Sequence, residues 1–443
     1  MNIIIYQYAE GVGGVEVIFA GFAKYCLQRG HKVYFVTRDT GNNVYYNLLK
    51  EMRNEIIWVY RKYSCDIRFM DDAQRRRERE SILRDLNLDK DVETLAIVFY
   101  YNEFLAIKNL FDECDFVKLY YLWSHPLNFI RSLKFMTTGY DFVKHSNYRQ
   151  FSYQKTLLQE MVDKGACSPH PLMIDLYNRY YDLNLSKQEY FALPVQFDAG
   201  ADFKYHYDVN SRTLRVLWVG RFAYFKNDAI EYIAKSLELV NHSNPEYSFF
   251  YDIVGYGAAK YDTDIRNRLS KYRKVKINFL GGVHPSKLNE LFSHYDLGVA
   301  MGTTTKQMGY SGLPTVVIDS LDEEYNDGSI CNWVFDSFLG DSGDGMYYHK
   351  IGKPLPCRVT LQSILEEIVA NPGILNINSK KCKEYVAENY DYEKQNAKIL
   401  EAARKSRYYA SKTPVFMYAW YVRLLRNIWH ATLPLRKLVA GLK

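Results

Sequence analysis

The sequence is short of the features that would place it in several common classes of protein. Its seven cysteines are odd in number, and no two have the Cys-x-x-Cys spacing of a zinc or redox site, so we expect buried free thiols. No stretch reaches the ~18 uninterrupted apolar residues of a spanning helix. The N-terminus also lacks the basic start and the long apolar run of a signal peptide. We therefore expect neither a disulfide scaffold nor a membrane-spanning or secreted protein.

Most of the chain has nearly balanced positive and negative charge. There are 57 Lys and Arg against 51 Asp and Glu, but nine of the basic residues and none of the acidic ones follow Glu401. The first 401 residues therefore carry 48 basic and 51 acidic groups, a balance that does not favour a nucleic-acid partner. After residue 412, cations alternate with Trp and Leu, which is typical of a helix that lies on an anionic membrane surface. A helix packed on the first domain is the alternative.

Short apolar runs that alternate with helical patterns predict an α/β protein. At 443 residues the chain exceeds one hydrophobic core, so we expect two domains. Strands that alternate with helices call for mostly parallel sheets with helices on both faces, hence two doubly wound Rossmann-like domains that face a cleft. The predicted strands are 3–6, 32–37, 95–99, 116–121, 214–219, 249–254, 277–281, 297–301 and 315–319. The predicted divisions are 1–205 and 206–382 for the two domains, 383–412 for a helix that packs back on the first, and 413–443 for a membrane-associating tail.

A glycine-rich turn follows the first predicted strand. Gly11, Gly13 and Gly14 precede a helical pattern, and such glycines let a helix N-terminus approach a phosphate. The third glycine of the dinucleotide fingerprint is missing, and no acidic residue that would close a ribose site stands out ~20 residues on. A redox Rossmann enzyme is therefore disfavoured, and a tight turn without a ligand remains the alternative.

Two cations follow the strand predicted at 214–219. Arg221 comes directly after Gly220, and Lys226 comes five residues later, just before a helix. Ligands of doubly wound sheets bind at the carboxyl ends of strands, and an Arg fork with a Lys point charge fits a diphosphate. We favour this interpretation over two ordinary surface charges.

The motifs in their order resemble those of a GT-B glycosyltransferase of the family 4 type. In the first half the resemblance rests on Gly-Gly-Val-Glu at 13–16 and on 27–33. In the second half it rests on Val-Gly-Arg-Phe at 219–222 with Lys226, on 253–257, 278–281 and 295–300, and on Ser-Gly-Leu-Pro-Thr-Val-Val at 311–317. The resemblance implies retaining transfer of a sugar from a nucleotide-sugar that the second domain holds.

The resemblance also implies roles for individual residues. Arg221 and Lys226 match the pair that neutralises the leaving diphosphate, while Gly13 and Gly14 match the glycine loop that faces the donor. Gly255 and Gly257 match the loop near the base and ribose. His125, in Trp-Ser-His-Pro at 123–126, is our candidate for the histidine near the transferred sugar, with a purely structural role as the alternative.

The sequence departs from the family at a pair of glutamates. Counted back from the Gly-Leu-Pro turn at 312–314, these positions hold Val299 and Gln307. Gln307 could still bind the ribose hydroxyls, because they need hydrogen-bond partners but no charge. The segment 301–305 resembles a variant branch in which Gly302, Thr303 and Thr304 would contact the diphosphate from a short loop.

These observations predict a hexosyltransferase that acts on a lipid-linked or growing surface polysaccharide, such as lipopolysaccharide or capsule. No metal and no cofactor are expected, because protein cations would take the metal's part and the nucleotide-sugar is a substrate. The expected location is the cytoplasm, at the inner face of the cell membrane, with the tail on anionic lipid. The alternatives are a GT-B nucleotide-sugar epimerase or hydrolase, and a non-catalytic glycan- or nucleotide-binding protein at the membrane. The stretch 341–344 is predicted to be an ordinary surface loop.

Overall fold

The computed structural model divides the chain into two compact units. One unit comprises the described residues of 1–190 and of 397–443, and the other those of 191–396. The residues that the structure describes are 1–7, 14–38, 43–61, 70–122, 148–167, 170–186, 190, 192, 194–195, 204–284, 287–320, 328–341, 343, 345 and 358–410.

The first unit is built on a five-stranded parallel sheet in the order β3-β2-β1-β4-β5. Its strands are β1 (Asn2–Tyr6), β2 (Lys32–Thr37), β3 (Ile57–Tyr60), β4 (Thr94–Val98) and β5 (Val117–Tyr121). Its helices are α1 (Gly14–Gln28), α2 (Val44–Leu48), a 3-10 turn (Lys50–Met52), α3 (Asp72–Leu86), α4 (Tyr101–Leu110), α5 (Tyr148–Asp163) and α6 (Pro171–Tyr181). Ile3, Ile4 and Ile5 are fully buried, because helices on both faces of a parallel sheet demand an uninterrupted apolar strand.

The end of the described chain returns to this first sheet. The amide of Leu119 in β5 donates to the carbonyl of Tyr408 at 2.9 Å, and the Ser406 hydroxyl donates to the carbonyl of Leu119 at 2.9 Å. The buried Lys108 ammonium in α4 donates to the carbonyl of Ala410 at 3.1 Å. Residues 406–410 therefore cover the β5 edge at Lys118 and Leu119, which would otherwise present unpaired backbone groups, while Ala166 pairs with Tyr121 further along the same edge.

The second unit is built on a six-stranded sheet in the order β11-β10-β9-β6-β7-β8, in which only β11 is antiparallel. Its strands are β6 (Thr213–Val219), β7 (Ser248–Val254), β8 (Lys276–Gly281), β9 (Leu297–Ala300), β10 (Thr315–Ile318) and β11 (Cys331–Trp333). Its helices are α7 (Tyr224–Ser243), α8 (Ala259–Leu269), α9 (Leu288–Phe292), α10 (Thr303–Ser311), a 3-10 turn (Val334–Asp336), α11 (Leu361–Ala370) and α12 (Ile374–Asn389). Helix α13 (Tyr392–Lys405) follows and leads into the first unit.

Alternation along β6 divides the second core into two layers. Val216 and Trp218 pack with residues of α7 and α11 on one face of the sheet. Leu217 packs with residues of α9 and α10 on the other face. Each sheet reverses its direction of growth at its first strand, between β1 and β4 in one unit and between β6 and β9 in the other. Such reversal points are where doubly wound sheets bind ligands.

The predicted fold class is confirmed, with two Rossmann-like units and each predicted strand present within a residue or two of its expected bounds. Strands β3 and β11 were not predicted, and Thr303 and Thr304 begin helix α10 rather than lie in a loop. The prediction of a surface loop at 341–344 is wrong for Asp341, which is fully buried in an ion pair with Arg358. None of the helices in the described ranges is long and apolar enough to cross a bilayer.

Candidate functional site

Three segments lie side by side at the reversal point of the second sheet. Strand β6 pairs with β9 through Leu217 and Gly298, and with β7 through Val219 and Val254. Continued past the strand ends, the β7 register puts Arg221 level with Tyr256, while on the other side β9 ends at Ala300 and Gly302 follows two residues later. The continuation on the Tyr256 side is real, because a parallel bridge links the next pair, Phe222 and Gly257.

Glycines make the close approach of these segments possible. A Cβ on Gly255 would lie 2.0 Å from the carbonyl oxygen of Gly220, and a Cβ on Gly257 would lie 2.5 Å from that of Phe222. At Gly220 a Cβ would lie 3.3 Å from the buried indole of Trp218. Gly220, Gly255 and Gly257 were predicted to bind nucleotide, and the structure places all three where the segments after β6 and β7 touch. Glycine is therefore needed at these three positions because a larger residue would collide with the neighbouring segment.

Arg221 and Lys226 lie close together at this edge. Arg221 is exposed, and Lys226 is partly buried in the first turn of α7. The pKa of Lys226 is lowered to about 8, chiefly because the side chain is buried and further because the Arg221 guanidinium is near. A charge that is desolvated beside a like charge is unfavourable until an anion arrives. The pair is thus suited to an anionic ligand.

Helix α10 begins on the other side of Arg221. Its N-cap is Gly302, whose φ of 73° lies in the left-handed region that favours glycine. The cap has no side-chain hydrogen bond, while the Thr305 hydroxyl donates to the carbonyl of Gly302 at 2.7 Å. The amides of the first turn are therefore without an intrahelical partner and face the carboxyl edge of the sheet, where a helix favours anions.

Thr303, Thr304 and Gln307 are partly exposed on α10. Because Thr303 and Gln307 are four residues apart, they lie on the same face of the helix, one turn from each other. The structure thus brings these three predicted residues and Gly302 to the edge that carries Arg221.

A buried ion network that the sequence analysis missed anchors α10. The Lys306 ammonium donates to the carbonyl of Asp341, and the Asp341 carboxylate pairs with the Arg358 guanidinium at 2.9 Å. Arg358 also pairs with Asp319, at the carboxyl end of β10, at 2.6 Å. These four groups come from distant parts of the chain, so no local signal marks them as partners.

Asn227 is a second residue that the sequence analysis missed. It is fully buried next to Lys226, and its side-chain amide donates to the carbonyl of Tyr261 and to the Asp264 carboxylate, both at 2.9 Å. These bonds fasten the first turn of α7 to α8 and hold Lys226 in place. An asparagine inside an apolar helical pattern is the available sequence signal, since a buried amide needs such partners.

The candidates in the first unit are described only in part. Gly14 is the exposed first residue of α1, whereas Gly13 and His125 lie outside the described residues. Next to this helix start, the side-chain Nε2 of Gln7 donates to the Glu16 carboxylate at 3.3 Å, and the side-chain Oε1 of Gln7 accepts from the Tyr45 hydroxyl. Burial and the nearby Glu16 charge raise the pKa of Tyr45 well above its ordinary value, so the phenol stays protonated.

The arrangement in the second unit can hold a diphosphate. It combines two adjacent cations with two helix starts, at α7 and α10, that no side chain caps. Within the described ranges no group of three or more His, Cys, Asp or Glu is placed to hold a metal ion.

No protein-family model matches the sequence, and no curated protein matches it. Solved structures are similar in shape. A glycosyltransferase from Rickettsia africae ESF-5 is 13% identical with a TM-score of 0.57, over 93% of this chain and 99% of that one. WaaG, a glycosyltransferase involved in lipopolysaccharide biosynthesis, is 12% identical with a TM-score of 0.51, over 92% and 100%. The N-terminal domain of a Candida albicans trehalose-6-phosphate phosphatase is 10% identical with a TM-score of 0.53, over 91% and 97%. The chain has the GT-B fold.

Proposed function

We propose that this protein is a retaining glycosyltransferase that moves a sugar from a nucleotide-sugar to a lipid-linked or growing surface polysaccharide. The observation that carries the proposal is the placement of Arg221 beside Lys226 at the reversal point of the second sheet, next to the uncapped start of α10. The fold supports it, since two of the solved structures of similar shape are named as glycosyltransferases.

The chemistry of sugar transfer explains why cations stand at this edge. When the bond between the sugar and the diphosphate breaks, negative charge develops on the departing nucleotide. Charges that are already in position stabilise this state without the cost of reorganising solvent. Arg221 would bind the diphosphate as a planar fork and Lys226 as a point charge, which together replace the cation that other transferases take from a metal.

The remaining residues of the site would hold the donor. The amides and hydroxyls at Thr303 and Thr304 would bind phosphate oxygens, and Gln307 would bind the ribose hydroxyls with its neutral amide. Gly255 and Gly257 would bring the backbone close to the ribose and base. No bound metal or organic cofactor is part of the proposal, because the nucleotide-sugar itself is the activated substrate.

The acceptor side of the proposal rests on the sequence. His125 would lie near the transferred sugar, with Gly13 and Gly14 facing the donor. The basic, tryptophan-containing stretch after residue 412 would bring the protein to the inner face of the cell membrane, where a lipid-linked glycan is available. The likeness in shape to WaaG, which is involved in lipopolysaccharide biosynthesis, supports a surface polysaccharide as the product.

The test is a screen of UDP-, GDP- and dTDP-sugars with the full chain, by thermal shift and by release of the nucleoside diphosphate with and without a membrane-extracted glycan acceptor. Arg221→Ala and Lys226→Ala are expected to lower transfer at least 100-fold, which corresponds to about 3 kcal/mol of transition-state stabilisation. Arg273→Ala and Lys235→Ala are matched controls, because both side chains are exposed and lie away from the carboxyl edge.

Each outcome of this test has a different meaning. Release of free sugar or an epimer without any acceptor would replace the proposal by a nucleotide-sugar hydrolase or epimerase. Nucleotide binding without turnover would make the protein a non-catalytic binder. Unchanged transfer in a folded Arg221→Ala variant would contradict the proposed role of the cation pair.

A further inference from the structure

The connection from β9 to helix α10 does not by itself fix the position of the helix. Only Met301 and Gly302 separate the end of β9 from Thr303, the first residue of α10. Gly302 has a φ of 73°, and a Cβ added there would have no described atom within 4 Å, so the joint is not supported on that side. Contacts further along α10 must therefore help to determine where its first turn lies.

Two hydrogen bonds hold α10 near its two ends. At the C-terminal end the Ser379 hydroxyl of α12 donates to the carbonyl of Gly312 at 2.5 Å. Near the N-terminal end the ammonium of Lys306, a residue that is 3% exposed, donates to the carbonyl of Asp341. Because helical side chains slope toward the N-terminus, the Lys306 bond is made beside the first turn of the helix.

The turn that accepts the Lys306 bond is itself firmly held. The Asp341 carboxylate pairs with the Arg358 guanidinium at 2.9 Å, and the amide of Gly340 donates to the Tyr390 hydroxyl at 2.9 Å. The Lys306 ammonium also lies over the Tyr390 ring, 5.4 Å from its centroid. Lys306 therefore joins the start of α10 to a turn that two other side chains keep in place.

The charge of Lys306 does not serve the stability of the helix. A cation near the start of a helix is opposed by the helix dipole, and burial of a charge costs free energy. Local conflicts of this kind are expected where a residue serves a binding site. An anion bound at the first turn would offset both costs.

We propose that Lys306 is a positioning residue of the diphosphate site. Through its bond to Asp341 it holds the first-turn amides and the Thr303 hydroxyl where they bind the diphosphate together with Arg221. The inference rests on the proposed function and adds a residue that the ligand does not touch. Loss of the bond should weaken the contacts made by α10 and leave the contact made by Arg221 unchanged, whereas a general loss of stability would affect both alike.

The experiment is a double-mutant cycle on the full chain, measured by isothermal titration calorimetry. The ligands are inorganic pyrophosphate, UDP and GDP, and the cycle uses the one that binds most tightly. Thr303→Val should weaken binding about tenfold when Lys306 is present, the effect of losing one hydrogen bond to a charged group, and less than about twofold in Lys306→Met. Arg221→Ala should weaken binding by the same factor in both backgrounds.

Lys108→Met is the matched control. Lys108 is a fully buried lysine of the first unit that donates to the carbonyl of Ala410 at 3.1 Å and lies 5.3 Å from the centroid of the Tyr408 ring. The substitution thus removes the same kinds of contact from a different unit. The Thr303→Val factor should be unchanged in this background.

Tyr390→Phe is a milder second variant, which keeps Lys306 and the ring but removes the hydroxyl that holds Gly340. It should reduce the Thr303→Val factor in the same direction, and it takes the place of Lys306→Met if that variant does not fold. An unchanged Thr303→Val factor, or an equal fall in the Arg221→Ala factor, would overturn the positioning role while the proposed function stands. A wild type that binds none of the three ligands would contradict both.

Discussion

Lys226 is buried near the like charge of Arg221, and both the burial and that charge lower the pKa of Lys226. The larger cause of the shift is burial of the Lys226 side chain, and its pKa of about 8 lies close to physiological pH. Because the charged form of Lys226 is disfavoured in the folded protein, we expect ligand binding and stability to depend on pH and on substitution of Lys226 more than they would for an ordinary surface lysine.

Binding of a nucleoside diphosphate should weaken as the pH rises through 8. Only the protonated lysine attracts the diphosphate, so the affinity of the wild type should fall about tenfold between pH 7 and pH 9. Lys226→Arg should remove this dependence, because a guanidinium stays charged over the whole range. Calorimetric titration with UDP or GDP at several pH values measures it, and a pH dependence that persists in Lys226→Arg would contradict the assignment to Lys226.

Removal of the Lys226 charge should stabilise the fold at neutral pH. Because the folded-state pKa is depressed, the protein bears a charging cost below pH 8 that is lost as the pH rises from 8 to the ordinary lysine value. Lys226→Met should therefore raise the free energy of unfolding by up to about 3 kcal/mol at pH 7, and by less than about 1 kcal/mol at pH 10. Urea unfolding at both pH values tests this, and Lys235→Met on the exposed face of α7 should show neither effect.

Gly255→Ala should destabilise the second unit severely. The new Cβ would lie 2.0 Å from a backbone oxygen, so the segments after β6 and β7 would have to separate, at a cost of about 3 kcal/mol. Gly373→Ala is the control, because its nearest neighbour lies at 3.6 Å and its backbone is already helical. Denaturation midpoints of the two variants should differ clearly, and equal midpoints would mean that the segments are not packed as described.

Asn227→Ala should weaken ligand binding as well as stability. It removes two hydrogen bonds between the first turn of α7 and α8, which costs about 1–3 kcal/mol and loosens the positioning of Lys226, although Arg268 of α8 still pairs with Asp228. Asn241→Ala is a matched control on the same helix, since its amide donates to the carbonyl of Tyr247 at 2.7 Å far from the cations. Both variants should lose stability, but only Asn227→Ala should lose pyrophosphate affinity, severalfold. Equal affinities would show that Asn227 has no positioning role.

Deletion of residues 411–443 should abolish binding to anionic membranes. That segment holds six basic and no acidic residues, and each cation near an anionic surface contributes about 1 kcal/mol. Co-sedimentation with phosphatidylglycerol vesicles should capture the full chain and release it at high salt, while the shortened chain stays in solution. Binding of both forms alike, or equal binding to neutral vesicles, would assign the tail a different role.

The parallel strands could be predicted from the sequence, because a short uninterrupted apolar run such as Ile3–Ile5 is typical of a strand that helices cover on both faces. It missed β11, because Cys331–Trp333 is too short to show a period and pairs only through tertiary contact with β10. It placed Lys226 just before the helix, whereas α7 begins at Tyr224, since the N-cap Ala223 has no capping side chain to mark the boundary. It treated 301–305 as a loop on the strength of its resemblance to a variant branch, whereas Gly302 provides the left-handed residue from which α10 begins.

Some residues of the candidate site are likewise marked by local sequence signals, and others are not. Arg221 and Lys226 could be found from sequence, because a strand end and a helix start next to it are both local signals. The ion network of Lys306, Asp341 and Arg358 could not, since its members meet only in the folded unit. Asp341 stands in a glycine-rich stretch, so it was predicted to be exposed, and only the ion pair with Arg358 explains its burial.

The hydrogen bonds from β5 to residues 406–408 have a consequence for synthesis. The ribosome completes β5 about 290 residues before it makes the strap that covers its edge, an interval of roughly 15–60 s at ordinary elongation rates. Throughout that time the part of this edge at Lys118 and Leu119 stays uncovered, since Ala166 pairs only with Tyr121 further along it, and the entire second unit emerges meanwhile. Chaperones that bind exposed strand edges of nascent chains would therefore find a binding surface on the half of the protein that is translated first and finished last.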